Sequence, residues 1–222
     1  MNLPFSLADF LNVFKNYNQS IFPLQILFYL IAFLCIYLLF TGNKNATMLI
    51  SITLAFFWLW MGIVYHIIFF SEINTAAYIF GGLFILQGVM FSGCGLIRKK
   101  LSFEYTKSAY NYIGLVFLLY ALIIYPVLGY NLGHTYPYSP TFGLPCPTTI
   151  FTFGILLFTN KKMPWHLLII PLLWSVIGFT AAINLTISED TGLLVAGVTG
   201  FVLLIAGNKK FKSRGNTMIQ PG

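Results

Sequence analysis

The sequence predicts an all-α membrane protein, a polytopic bundle of seven transmembrane helices with the N-terminus outside and the C-terminus in the cytoplasm. Three observations lead to this prediction. Of the 222 residues, 58% are hydrophobic and only 8% are charged, which leaves too little polar surface to cover a water-soluble globule. Apolar stretches of roughly 17 to 25 residues, the length that crosses a bilayer as a helix, recur between short polar segments. The lysines and arginines are concentrated in every second one of the polar segments that separate the apolar stretches.

Residues 1–20 precede the first long apolar stretch and are predicted to form a periplasmic-side amphipathic helix. Ser6 and Asp9 have the spacing of a helix N-cap and the third residue of its first turn. One stripe of this helix is apolar and consists of Leu7, Phe10, Leu11 and Phe14. The segment lacks the basic start and the small-residue cleavage site of a signal peptide, so we expect it to lie at the membrane surface as an anchor.

The transmembrane domain is predicted over residues 21–207, and a basic cytoplasmic tail over 208–222. The seven expected spans are 21–41, 48–70, 78–97, 111–128, 142–159, 163–185 and 191–207. The fifth is the weakest, because its uninterrupted apolar run, 148–159, is too short for a hydrocarbon core of about 30 Å. Seven crossings still fit better than six, since six would place the basic residues after Gly207 outside.

The distribution of charge predicts the orientation. Eleven of the twelve lysines and arginines fall in segments that this topology places in the cytoplasm, and only Lys15 lies outside. Basic residues are enriched in cytoplasmic loops of membrane proteins. The net charge of +7 is therefore explained by topology, so we expect a lipid bilayer as the partner and no nucleic acid.

A weak internal repeat relates the two halves of the chain at offsets of 116 to 118 residues. The Leu-Leu-Phe-Thr sequence at 38–41 recurs at 156–159, and Trp58 with Gly62 corresponds to Trp174 with Gly178. This pattern predicts a 3+1+3 parallel repeat, an architecture that resembles the sugar-exporting SWEET transporters. The Pro-Gln pair typical of that superfamily is absent here, and chance recurrence of short apolar motifs is an open alternative.

Three segments resemble an uncharacterised bacterial family of small polytopic inner-membrane proteins, catalogued as a domain of unknown function. They are the Trp-Met-Gly-Ile-Val-Tyr-His sequence at 60–66, the segment 133–149 with its Gly-Leu-Pro-Cys-Pro-Thr-Thr end, and the Trp-Ser-Val-Ile-Gly sequence at 174–178 followed by Glu189 and Asp190. The resemblance extends over nearly the full length. It implies a location in the bacterial inner (cytoplasmic) membrane and no particular activity.

The outside loop and the start of the fifth span, residues 129–147, form the most unusual segment. It contains four prolines, at 137, 140, 145 and 147, and its one ionisable residue apart from Cys146 and the tyrosines is His134. Proline lacks an N–H and fixes φ, so the outer half of the fifth span should be unwound or kinked. Non-helical backbone at membrane depth must be buried in protein or line a water-filled space. We therefore expect a cavity that opens to the outer side; a rigid cap over the bundle is the alternative.

Several polar and aromatic residues are candidates to line this cavity. His66 lies about one turn inside the outer end of the second span, and Gln87 lies near the midplane of the third, where lipid offers no hydrogen-bond partner. Midplane tryptophans could wall a site for an apolar or cationic ligand, although core packing and helix association explain such residues equally well. The predicted ligand-binding residues are Trp58, Tyr65, His66, Glu72, Gln87, His134, Trp174, Glu189 and Asp190.

The catalytic and metal-binding signals are weak. No cofactor is predicted; His66, His134 and Cys146 have the chemistry to bind zinc or copper, but they would have to converge from separate segments. The chain has no nucleophile elbow, no His-Glu-x-x-His helix and no glycine-rich phosphate loop, so its status as an enzyme and any catalytic residues are left open.

The leading functional hypothesis is a small membrane protein that binds or transports a small molecule through the outward cavity. One alternative is a membrane-embedded enzyme with an outward-facing site of histidine and carboxylate, with or without a metal ion. The other is an accessory membrane subunit.

Overall fold

The computed structural model describes residues 4–217, and the side chains of residues 4–209. Eight helices and no β-strand form within these residues. The helices are α1 (Leu7–Ile21), α2 (Leu24–Phe40), α3 (Ala46–Glu72), α4 (Ala77–Ile97), α5 (Ala109–Asn131), α6 (Pro145–Leu156), α7 (Trp165–Leu185) and α8 (Ser188–Lys209, with helical backbone continuing to residue 217). The predicted tail, 208–222, thus starts within α8, and its side chains from residue 210 onward lie outside the described residues.

Five of these helices, α3, α4, α5, α7 and α8, are long and apolar enough to cross a membrane. They contain 21 to 27 residues each, and a further span results if α1 and α2, whose axes form an angle of 85°, are counted as one bent pair. The predicted all-helical architecture is therefore confirmed, and five to six apolar helices of spanning length support a polytopic membrane protein. The count of seven and the orientation stay predictions.

Helix α6 lies at the centre of the bundle. Its twelve residues extend about 18 Å, and all of them except Cys146 are buried. Pro145 begins the helix and Pro147 lies in its first turn, where the missing N–H groups have no helical acceptor to lose. The prolines therefore start this helix instead of kinking it, and the preceding segment, 132–144, is non-helical as expected.

Close backbone contact joins α3 to α4. A Cβ atom added to Gly81 would lie 2.9 Å from the carbonyl oxygen of Gly62, and one added to Gly88 would lie 3.0 Å from the carbonyl oxygen of Ala55. Small residues at such positions let two helices approach closely, which favours association in lipid. These glycines hold the end of α3, and with it several site residues, against α4.

Helix α1 lies over the end of the bundle at which α3, α5 and α7 end and α4, α6 and α8 begin. Its N-terminus has the predicted capping box, since Ser6 Oγ accepts from the Asp9 N–H at 3.2 Å and Asp9 Oδ2 accepts from the Ser6 N–H at 3.0 Å. Its buried residues are Val13, Phe14, Tyr17, Asn18 and Ile21. The buried face thus extends further along the helix than the predicted stripe, and it packs on protein.

Candidate functional site

A cavity of about 350 Å³ lies beneath α1 at this end of the bundle. Its walls come from α3, α4, α5 and α7, from the starts of α6 and α8, and from the loop before α6. The walls are mostly aromatic and include Tyr65, Phe70, Phe80, Tyr125 and Trp174. The non-helical segment that the sequence predicted thus borders a cavity.

Helix α1 covers this cavity. Its start contributes three aromatic rings to the lining, those of Phe5, Phe10 and Phe14. The lining residues with exposed side chains include Thr180 and Asn184, on the last turns of α7. The opening therefore lies between the start of α1 and the end of α7.

One corner of the cavity is polar. The Asp190 carboxylate lines it, and the Tyr125 hydroxyl donates a hydrogen bond of 2.5 Å to Asp190 Oδ1. The Cys146 thiol lies beside this carboxylate and near the indole of Trp174. The Trp174 N–H is buried against this thiol. This corner thus offers a ligand an acidic group.

A second carboxylate lies behind this corner and fixes the start of α8. His134 Nδ1 lies 2.7 Å from Glu189 Oε1, and the Glu189 side chain is fully buried. Gly129 lies beside this pair, and a Cβ atom at that position would be only 3.3 Å from Glu189 Oε1. The absence of a side chain at residue 129 therefore leaves room for the pair. The Tyr120 hydroxyl donates to the Glu189 carbonyl oxygen at 2.8 Å. These contacts hold the next residue, Asp190, in the wall.

His66 lies behind the aromatic wall in a π-helical stretch of α3, Met61–Phe69. The wider π turn buries both Tyr65 and His66, although they are consecutive; such segments are frequent at functional sites. The imidazole centroid is 4.6 Å from the ring of Phe84 and 5.0 Å from that of Trp174. His66 is fully buried and neither ring nitrogen has a hydrogen-bond partner. It therefore supports the wall and does not line the cavity.

Gln87 lies deep between α4 and α7. Its Nε2–H donates to the carbonyl oxygen of Leu167 at 3.0 Å. In a regular helix the Leu167 carbonyl would accept from the N–H of residue 171, but residue 171 is a proline and has no N–H. The side chain of Gln87 thus replaces a hydrogen bond that proline removes from α7.

His66→Phe is expected to raise the free energy of unfolding by about 1–3 kcal/mol, because two buried, unpaired nitrogens are removed from an aromatic environment. Gln87→Leu is the matched control and should lower it by about 1–3 kcal/mol, because the Leu167 carbonyl loses its donor. Thermal unfolding in detergent checks both. A lower melting temperature for His66→Phe than for the wild type would contradict the assignment of an unpaired imidazole.

The structure brings together part of the predicted site. Three of the predicted ligand-binding residues line the cavity: Tyr65, Trp174 and Asp190. Three more lie behind its walls: His66, His134 and Glu189. The remaining three are elsewhere: Glu72 is exposed at the end of α3, Trp58 donates to Thr152 Oγ1 in the core, and Gln87 bonds α7.

The sequence reasoning missed Tyr125 and the aromatic cover from α1. Tyr125 is one of 13 tyrosines, and no spacing distinguishes it from the others. The apolar stripe of α1 was a usable signal, but a stripe does not indicate whether it packs on lipid or on protein.

The predicted metal candidates do not form a cluster with three potential ligands. Within the described residues, no group of three or more histidine, cysteine, aspartate or glutamate side chains is arranged to hold a metal ion. His134 pairs with Glu189, His66 is enclosed by rings, and Cys146 lies beside Asp190. The prediction of no cofactor, with zinc or copper as the alternative, stays untested.

The comparisons with known proteins give a family without an activity. Residues 7–215 match a family model described as "Family of unknown function (DUF6064)". No curated protein and no solved structure matches the chain. The matched range includes all eight helices as far as residue 215 and every cavity-lining residue except Phe5. The predicted membership in an uncharacterised family is confirmed, while the likeness to SWEET transporters stays a prediction. The chain belongs to the DUF6064 family, a family of unknown function.

Proposed function

We propose that this protein binds a small, mostly apolar molecule in the cavity beneath α1, at the outer end of a bundle that crosses the membrane seven times. The observation that carries the proposal is the aromatic cavity of about 350 Å³, with a carboxylate in its wall. Ligand sites in proteins are typically concave, mostly apolar pockets of roughly 300–1,000 Å³ with a few placed polar groups. The cavity has these properties.

The seven crossings and the outward orientation of the cavity are inferred from the distribution of charge and from the burial of α6. With seven crossings, the N-terminus lies outside and the cavity faces the outer side, because eleven of the twelve basic residues then fall in the cytoplasm. Helix α6 counts as a crossing although it is short. Its buried position removes the need to match the bilayer, since the non-helical residues directly beside it, 142–144 and 157–158, are also buried in protein. The resemblance to a bacterial family of inner-membrane proteins implies that this membrane is the bacterial inner membrane.

Two observations weigh against the accessory-subunit hypothesis. A purely structural bundle should pair its buried polar groups and leave no large cavity. Here the ring nitrogens of His66 and Oε2 of Glu189 are buried without partners behind the cavity. The enzyme hypothesis has less support from the geometry, because His134 is engaged with Glu189 and not with a nucleophile. Binding, with or without transport, fits these observations best.

Ala181→Phe is expected to abolish binding, because residue 181 lines the cavity and a phenyl ring would fill part of it. The probe is 1-naphthalenemethanol, a neutral aromatic alcohol, and the measurement is the shift in melting temperature of the detergent-purified protein. Wild-type protein should melt higher with the probe, and affinity should fall at least tenfold in Ala181→Phe.

The control for this experiment is Ile183→Phe on the same helix. Ile183 is 63% exposed on the outer surface of α7, so the same new ring stays outside the cavity and binding should persist. The proposal is wrong if the wild type shows no shift, or if Ala181→Phe binds the probe as tightly as Ile183→Phe.

A further inference from the structure

We infer that the ligand is a small organic cation, an amine with an apolar body whose ammonium group contacts Asp190. This inference rests on the proposed binding function and adds the charge and the chemical class of the ligand. It follows from the charges around the cavity and from the nature of its walls.

The described residues that line the cavity include one acidic side chain and no basic one. Asp190 lines the cavity and is only 5% exposed, and none of the described lining residues is lysine or arginine. The nearby histidine, His134, pairs with Glu189, whose second oxygen is buried without a partner. Asp190 itself has Tyr125 and Cys146 as polar neighbours, neither of which carries a positive charge. A buried carboxylate is costly unless a cation accompanies it, so a ligand that supplies one is favoured.

The walls suit the same kind of ligand. Tyr65 stacks with Phe70 at a centroid distance of 5.7 Å, and Phe5 and Phe10 contact Phe70 edge-on at 5.5 and 5.8 Å. Aromatic faces attract ammonium groups, and the attraction is strongest where water is excluded. An apolar body gains from the same rings through burial. An anion would meet neither a positive charge nor a favourable ring face.

The test compares two probes of nearly equal shape, 1-naphthylmethylamine and 1-naphthalenemethanol, by isothermal titration calorimetry on the full-length protein in detergent. At neutral pH the amine is an ammonium and the alcohol is neutral. The wild type should bind the amine at least tenfold more tightly than the alcohol. Asp190→Asn keeps the size of the side chain and removes the charge, and it should abolish this preference while leaving the affinity for the alcohol within about twofold.

Glu72→Gln is the matched control, because Glu72 is an exposed carboxylate at the end of α3 and lies outside the cavity. It should leave both affinities unchanged. Equal binding of the two probes by the wild type, or an unchanged preference in Asp190→Asn, would overturn the inference and leave the proposed binding function intact. Failure of both probes to bind would overturn the two together. If Asp190→Asn does not fold, the inference is decided by the wild type alone, from the ratio of its affinities for the amine and the alcohol.

Discussion

Gly81→Leu is expected to prevent the bundle from folding. A Cβ atom at this position would lie 2.7 Å from Ile67 Cγ1 and 2.9 Å from the Gly62 carbonyl oxygen, so helices α3 and α4 would have to separate. Overpacking by a few methyl groups costs about 1–3 kcal/mol when side chains can adjust, and here backbone atoms are in the way. Because proteins are stable by only about 5–15 kcal/mol, a loss of the monodisperse species in size-exclusion chromatography is expected.

The adjacent residue provides the control. Gly82 is exposed on the same helix, and a Cβ atom there would meet nothing within 4 Å. Gly82→Leu changes the intrinsic helix propensity by the same amount, so it should fold and melt at or slightly above the temperature of the wild type. Similar behaviour of the two variants would show that α3 and α4 are not in the close contact described.

Asn18→Leu is expected to release α1 from the bundle and to expose the cavity. The buried Asn18 side chain donates to the carbonyl oxygens of Pro137 and Ser139 at 2.7 and 2.8 Å, and it accepts from Thr141 at 2.7 Å. Each buried group left unpaired costs about 1–3 kcal/mol. Cys146, in the cavity wall beneath α1, should then react at least tenfold faster with a membrane-impermeant maleimide, as measured by mass spectrometry of the peptide that contains it.

Asn16→Leu is the control, since Asn16 is exposed on the same helix. This substitution should leave the labelling rate of Cys146 unchanged. Equal rates in the two variants would contradict the role of Asn18. In right-side-out membrane vesicles the same labelling tests orientation, because the reagent reaches Cys146 only if the α1 end of the bundle faces outward.

Much of the helical framework could be predicted from the sequence because the signal is local. A segment such as 78–97 is long and apolar, and it forms α4 (Ala77–Ile97) almost as predicted. The capping box of α1 was readable for the same reason, since Ser6 and Asp9 are three residues apart. Three of the predicted ligand-binding residues, Tyr65, Trp174 and Asp190, line the cavity, and their role in binding stays a prediction.

Other features depend on contacts between distant parts of the chain. The Tyr17 hydroxyl donates to the carbonyl of Gly143, 126 residues later, and this contact packs α1 on the bundle. His134 and Glu189 are 55 residues apart, and their pairing positions Asp190.

The sequence by itself thus determined a polytopic helical membrane protein and the outline of its spans, because hydrophobicity and helix length act over single segments. Only the tertiary structure decided which face of α1 meets protein, why α6 can be short, and which of nine candidate residues reach the cavity. The physical reason is that burial from lipid and burial in protein have the same apolar signature in a sequence, whereas helix packing and hydrogen bonds between helices distinguish them.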